Sequence, residues 1–183
     1  MNEIEGLLLE YEQHVNVPWQ DNIAGPQKVW FAIYDPAQER RLRLHVQDFE
    51  SKTGLAKHGW LLEDLTDSFA EWMAAHEYRE AYFEQPEDMD LALQNYGDYL
   101  VERVTKALQA PQANEKSVVA LLGIGSLFGL TRASALLESV APAIRGRLLV
   151  FFPGHRDGSN YRLLDARDGW NYLAVPIQAP PRN

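Results

Sequence analysis

Val118-Val119-Ala120-Leu121-Leu122-Gly123-Ile124-Gly125-Ser126-Leu127-Phe128-Gly129-Leu130-Thr131 reads VVALLGIGSLFGLT, a continuous apolar run that passes into a glycine-rich turn and then into Arg132-Ala133-Ser134-Ala135-Leu136-Leu137-Glu138-Ser139-Val140. Five apolar residues in succession, bounded by glycine, predict a strand buried on both faces; RASALLESV predicts the helix that follows it. A glycine-rich turn between a strand and a helix is the place where many α/β proteins hold phosphate, because free backbone N–H groups collect there.

The residues that make such a turn work are missing here. A dinucleotide fingerprint needs G-x-G-x-x-G, and Phe128 stands in the place of its third glycine, with Gly129 one residue late. A P-loop needs lysine before its Ser or Thr; Leu130 precedes Thr131, and leucine cannot neutralise a triphosphate. Gly123, Gly125, Gly129, Thr131 and Arg132 are the nucleotide-binding candidates this stretch offers. The competing expectation is a packed turn in which Gly123 and Gly125 allow the bend while Leu127, Phe128 and Leu130 face inward.

Working outward, VWFAIYD (29–35) and RLLVFFPG (147–154) are further buried-strand runs, the first stopped by Asp35-Pro36 and the second by Pro153-Gly154. GWLLEDL (59–65) is a fourth strand. Helices are predicted over 3–14, over AQERRLRLHVQDFESKTG from Pro36 with Leu42, Val46, Phe49 and the later Leu55 as its apolar positions and Gly54 as a break, and over 67–83 with Thr66 or Asp67 as cap. Another starts at Pro86, with Gly97 a weak point along it. YRLLD and WNYLAVPI flank Asp168-Gly169, which predicts a C-terminal hairpin. Strands alternating with helices predict an α/β fold: a mainly parallel sheet of four or more strands, covered by helices on both faces and extended by that hairpin. The 183 residues are read as one domain, with an N-terminal helix and loop over 1–26, a core over 27–177 and a tail over 178–183.

Hydrophobic residues make up 46% and charged residues 23%, the balance of an ordinary globular chain. With no cysteine, thiolate nucleophiles, disulfides and cysteine-ligated zinc are excluded, and a reducing cytoplasm suits the composition. The N-terminus is acidic where a secretory signal is basic, and the longest nearly apolar run, 118–130, is too short to span a bilayer. No membrane association is expected. Residues 1–129 carry 10 Lys or Arg against 22 Asp or Glu, a balance of −12, whereas 130–183 carry 7 Arg against 4 acids, or +3. Ten acids and one base lie between Glu63 and Asp90. Such a run repels a phosphate backbone and suits either a solvated face or a docking surface for a basic partner.

Other arrangements lack an essential part. His76 and Glu80 have helical i,i+4 spacing, but a zinc-protease helix needs a second histidine, so a surface pair is expected and no metal site. Ser126 is outside G-x-S-x-G. Asp35 and Asp64 sit at strand C-termini and are read as turn and cap formers. Arg40, Arg41, Arg43, Arg145, Arg147, Arg156 and Arg162 are scattered through an acidic chain, so salt bridging to the acidic helices is expected and nucleic-acid binding is at most weak.

WFAIYDPAQE, LEDLTDSF, GIGSLFGLTRASALLESV, and LLVFFPG followed by YRLLD and NYLAVPI together resemble the BrxB family, from about Val29 to Ile177. The resemblance implies a small cytoplasmic component of BREX anti-phage defence islands. Its neighbours there are a large ATPase, an alkaline-phosphatase-like PglZ protein and, as a further candidate, a DNA methyltransferase, in host DNA modification and phage exclusion. It brings no catalytic residues and no cofactor. The expectation is a non-enzymatic adaptor bridging other BREX proteins. Its contact residues are then Glu63, Asp64, Asp67, Glu71 and Glu84 in the acidic segment, and Phe152 and Trp170 in the aromatic C-terminal segment. The alternative is a nucleotide-binding regulator with a degenerate P-loop-like turn.

Overall fold

The computed structural model describes residues 1–76, 79–166 and 169–181, with the side chains of residues 79, 82 and 83 set aside. Its sheet runs β2(Gly59–Asp64), β3(Ser117–Leu122), β4(Arg147–Asp157), β1(Val29–Tyr34), β7(Val175–Gln178), with every neighbour in that order parallel. The expected α/β architecture is therefore present. Chain order carries β1 leftward to β2 and then β2, β3 and β4 rightward, so right-handed crossovers put the two sets of connecting helices on opposite faces.

The strands alternate between two cores. Val29, Phe31 and Ile33 of β1, Val119 and Leu121 of β3, and Leu148, Val150 and Phe152 of β4 face α3(Ser68–Ala75), α5(Met89–Gln109) and α6(Ala133–Val140). Trp30, Ala32 and Tyr34, with Val118, Ala120, Leu122, Leu149 and Phe151, face α1(Glu3–Asn16) and α2(Glu39–Leu55). This is why those runs are apolar without interruption: both faces of each strand are covered. α1 starts at an Asn2–Glu5 capping box and meets α2 through Tyr11, whose hydroxyl lies 2.5 Å from the buried Thr53 Oγ1.

Several local expectations change. Helix α2 continues through Gly54, and Leu55 at its end is exposed rather than buried. The helix expected over 67–83 ends at Ala75, where His76 turns extended, and α4(Arg79–Glu84) follows. Asp67 occupies the N-cap of α3 without a side-chain cap bond. α5 is continuous through Gly97, where an added Cβ would lie 3.2 Å from Thr131 Oγ1, so the glycine lets the helix approach the turn after β3.

The Pro153-Gly154 stop is a change of partner. Up to Pro153, β4 pairs with β1; from Gly154 to Asp157 it pairs antiparallel with β5(Asn160–Leu163), around a turn in which Gly158 has φ +61. Proline lacks the N–H a central ladder needs, and a Cβ at residue 154 would collide with the Arg162 carbonyl. β5 then pairs antiparallel with β6(Trp170–Asn171), the expected C-terminal hairpin; Asp168, assigned to its turn, lies outside the described residues.

Candidate functional site

In a parallel sheet, chemistry is sought beyond the carboxyl ends of the strands. Here that end is occupied by the chain's own contacts. Gly123 follows β3 at φ +85, and a Cβ there would stand 2.6 Å from both the N and Oγ1 of Thr66, so the turn is pressed onto the loop after β2. A short 3-10 turn, Ile124–Leu127, follows, and Ser126 Oγ lies 2.6 Å from the Gly123 carbonyl and 3.2 Å from that of Leu65. Gly125 packs toward Pro153. Leu127 is buried and Leu130 packs against the core, as expected, but Phe128 is 46% exposed. With Gly123 left-handed and Gly129 also at φ +79, the backbone turns Phe128 outward.

The five nucleotide candidates therefore separate. Gly123 and Gly125 serve packing, whereas Gly129, Thr131 and Arg132 line a cavity of about 490 Å³ with Phe128, Tyr161 and Trp170. Arg132 is exposed at the N-cap of α6.

Beside the turn, the ionic groups neutralise one another. Asp64 Oδ1 accepts from Thr66 N at 2.9 Å and from its hydroxyl at 2.5 Å, the turn-forming role expected of it, and Asp35 accepts from Ala37 N at 2.9 Å in the same way. Arg43 reaches from α2 to Thr66 Oγ1 at 2.8 Å, Glu39 at 3.0 Å and Asp64 at 3.7 Å. Tyr34, at the end of β1, donates to Glu39; burial first, and that bond second, push its hydroxyl well above the ordinary tyrosine range. Arg103 of α5 holds Glu63 at 2.5 Å, Glu71 at 2.7 Å and the Asp64 carbonyl at 3.0 Å. Desolvation opposes the Arg103 charge, but Glu63, Tyr99 and Glu71 outweigh it and hold the guanidinium above its usual value.

The contact residues expected from the sequence fall into three groups. Glu63, Glu71 and Asp64 are tied into the Arg103 and Arg43 networks. Phe152 is 1% exposed and stacks on Phe31 at 5.0 Å, so its ring is interior, at the floor of the cavity that Arg132 lines; Trp170 is half-buried, stacked on Tyr172 at 4.3 Å and donating to Glu138 at 3.1 Å. Asp67 and Glu84 are exposed and form no ion pair among the described residues. His76 and Glu80 no longer share a helix; among the described residues no group of three His, Asp or Glu could hold a metal.

The arginines bond differently from expectation. Among the described residues only Arg43 of the seven pairs with acids; Arg145 donates to the Leu108 and Ala110 carbonyls at the end of α5, Arg147 to those of Gly146 and Gln20, and Arg156 to that of Gly158. Cationic side chains at a helix C-terminus satisfy carbonyls that have no partner within the helix.

A family model described as "BREX protein BrxB" matches residues 62–177, well over half of the chain. The chain belongs to the BrxB family. It is thus a component of BREX phage-defence systems. The match begins inside β2 and takes in the glycine turn, the β4–β5–β6 extension and β7, leaving β1, α1 and α2 outside, although the resemblance in the residues begins near Val29. No curated protein and no solved structure matches the chain. Among the described residues, no helix is long and apolar enough to cross a membrane.

Proposed function

We propose that this BrxB-family chain is a non-catalytic adaptor that joins other BREX proteins. The acidic segment between α4 and α5 is its contact surface for a basic partner. One observation carries the reading: Glu84, Glu87, Asp88 and Asp90 are exposed and make no ion pair among the described residues, and Leu91 beside them is 78% exposed. The acids nearer the sheet, Glu63 and Glu71, are by contrast already held by Arg103. An apolar side chain rimmed by unpaired like charges suits a complementary protein surface, where charge sets the encounter and the apolar centre holds the complex. The PglZ-like protein and the large ATPase are the partners of choice, with the methyltransferase next; work within the cytoplasm accords with these partners.

The experiment is co-purification of the tagged full chain with the other proteins of its locus. One BREX protein should elute with it near equimolar ratio and be lost when Glu84, Glu87, Asp88 and Asp90 are all changed to lysine. Absence of any partner at micromolar concentration, or equal recovery with the lysine variant, contradicts the proposal.

A second reading, nucleotide binding, draws on the cavity that Arg132 and the Phe128 and Trp170 rings line beside the N-terminus of α6. Calorimetry with ATP and GTP, with and without magnesium, decides it. Heat that disappears in Arg132→Ala would favour this reading over the adaptor.

A further inference from the structure

At the opposite pole, beyond the amino ends of β1, β4 and β7, lies a cavity of about 280 Å³ lined by His14, Trp19, Gln20, Trp30, Arg147 and the rim residue Val17, among others. Arg147 opens β4 and is 6% exposed, the one charged side chain that is buried among the described residues. Its guanidinium donates to two backbone carbonyls, Gly146 at 3.0 Å and Gln20 at 2.9 Å, and lies 4.9 Å from the centre of the Trp19 ring. Among the described residues no carboxylate pairs with it. Asp21, whose charge it feels, is exposed and not bonded to it.

A guanidinium has five N–H donors, and one removed from water without a carboxylate or phosphate is costly to keep. Burial accordingly pulls Arg147 below its usual value. A second donor in the same wall is unmet. Trp19 Nε1 is buried without a hydrogen-bond partner, although the ring is fixed by stacking on His58 at 3.6 Å and edge-on against Trp30 at 5.5 Å. His14, edge-on to Trp30 at 4.5 Å, is pushed down by burial and then by the Arg147 charge, so it stays uncharged at neutral pH and adds no competing cation.

We propose that this cavity is a binding site for a carboxylate with a small apolar body: the acid forks onto the free edge of Arg147, and the apolar part rests on Trp30 and Val17. A planar carboxylate matches two parallel guanidinium N–H groups, and the ring of Trp19 presets the guanidinium plane. The volume falls just under the range of about 300–1,000 Å³ usual for small-molecule sites, which limits the occupant to one small acid or one acidic terminus of a chain. The site lies at the far end of the sheet from the acidic contact surface and does not depend on it.

The test follows the indole N–H signals of the ¹⁵N-labelled full chain by NMR, with Trp19 identified through Trp19→Phe. The probes are benzoate, benzamide, inorganic phosphate, and a dipeptide, acetyl-Gly-Phe, as free acid and as amide. Benzoate or the free-acid dipeptide should shift the Trp19 signal saturably, and the matching amide should bind at least tenfold more weakly. Tighter binding of benzoate assigns the site to free acids; tighter binding of the dipeptide assigns it to a chain terminus. Arg147→Gln should abolish the response. Because Arg147 also holds the Gly146 and Gln20 carbonyls, Val17→Glu at the rim supplies a second test through a tethered carboxylate: it should block the probes, whereas Leu44→Glu, at an exposed residue outside the cavity lining, leaves their affinity within threefold. Equal binding of acid and amide, a response to phosphate alone, or no response to any probe overturns the proposal.

Discussion

The two ends of the sheet treat arginine in opposite ways. At the carboxyl end, Arg103 and Arg43 are enclosed by Glu63, Glu71, Glu39 and Asp64, so both of these cations are already paired. At the amino end, Arg147 is more deeply buried than either and, among the described residues, hydrogen-bonds to carbonyl oxygens rather than to acids. The difference teaches that position in an α/β fold does not by itself make a site. Beside β2 the chain's own ion pairs fill the ground where ligands usually bind, and the buried cation without a carboxylate lies at the other pole.

The largest expected effect breaks the closed end. Gly123→Val puts a branched side chain on a residue at φ +85 and within 2.6 Å of Thr66. It should destabilise the protein by about 3 kcal/mol through strain and overpacking. In a chain of this size that lowers the thermal midpoint by roughly 6–12 °C. Gly129→Ala, at φ +79 but with nothing within 4 Å of its Cβ, should cost only about 1 kcal/mol. Equal midpoints for the two variants in a thermal melt would show that the turn is not pressed onto Thr66.

Next in size is the arginine contrast itself. Arg103→Met leaves Glu63 and Glu71 facing each other without a cation and should cost about 2 kcal/mol in urea unfolding. Arg147→Met leaves no acid behind, since none was paired, and should stay within about 1 kcal/mol of wild type. The reverse order would mean that the amino pole, not the carboxyl pole, depends on its charge.

The smallest effect is one of pH. His14 has its folded value depressed below the usual 6.5, so the unfolded chain binds its proton first as pH falls. The stability this histidine contributes is complete above about pH 6.5 and declines from there down to its folded value. Replacing it in His14→Gln should flatten the stability–pH slope in that window; an unchanged slope would show that His14 is not held neutral beside Arg147.

What was legible in the sequence, and what was not, follows the same division between local and distant causes. β1, β3 and β4 announced themselves because strands covered on both faces must be apolar throughout, and that alone implied the parallel sheet. The passage of β4 through Pro153-Gly154 could not be read locally, since it depends on the Arg162 carbonyl arriving from β5. Nothing in EWMAAHEYRE marks the break after Ala75. At the glycine turn, the missing lysine was plain, but three neighbouring apolar residues gave no sign of which one would face out; the left-handed Gly123 and Gly129 decide that, and Phe128 is the one excluded. Arg147 looked like one of several scattered arginines because a charged residue before an apolar run reads as its solvated flank. Only the packing of Trp19 and the loop after α1 makes it interior.

The central claim, an adaptor that docks through its unpaired acids, is tested most directly by the affinity of the chain for the BREX protein that co-purifies with it. The wild-type chain should bind that partner at least about tenfold more tightly than the variant with lysine at 84, 87, 88 and 90, with the gap narrowing as salt is raised. Equal affinities at every salt concentration would contradict it.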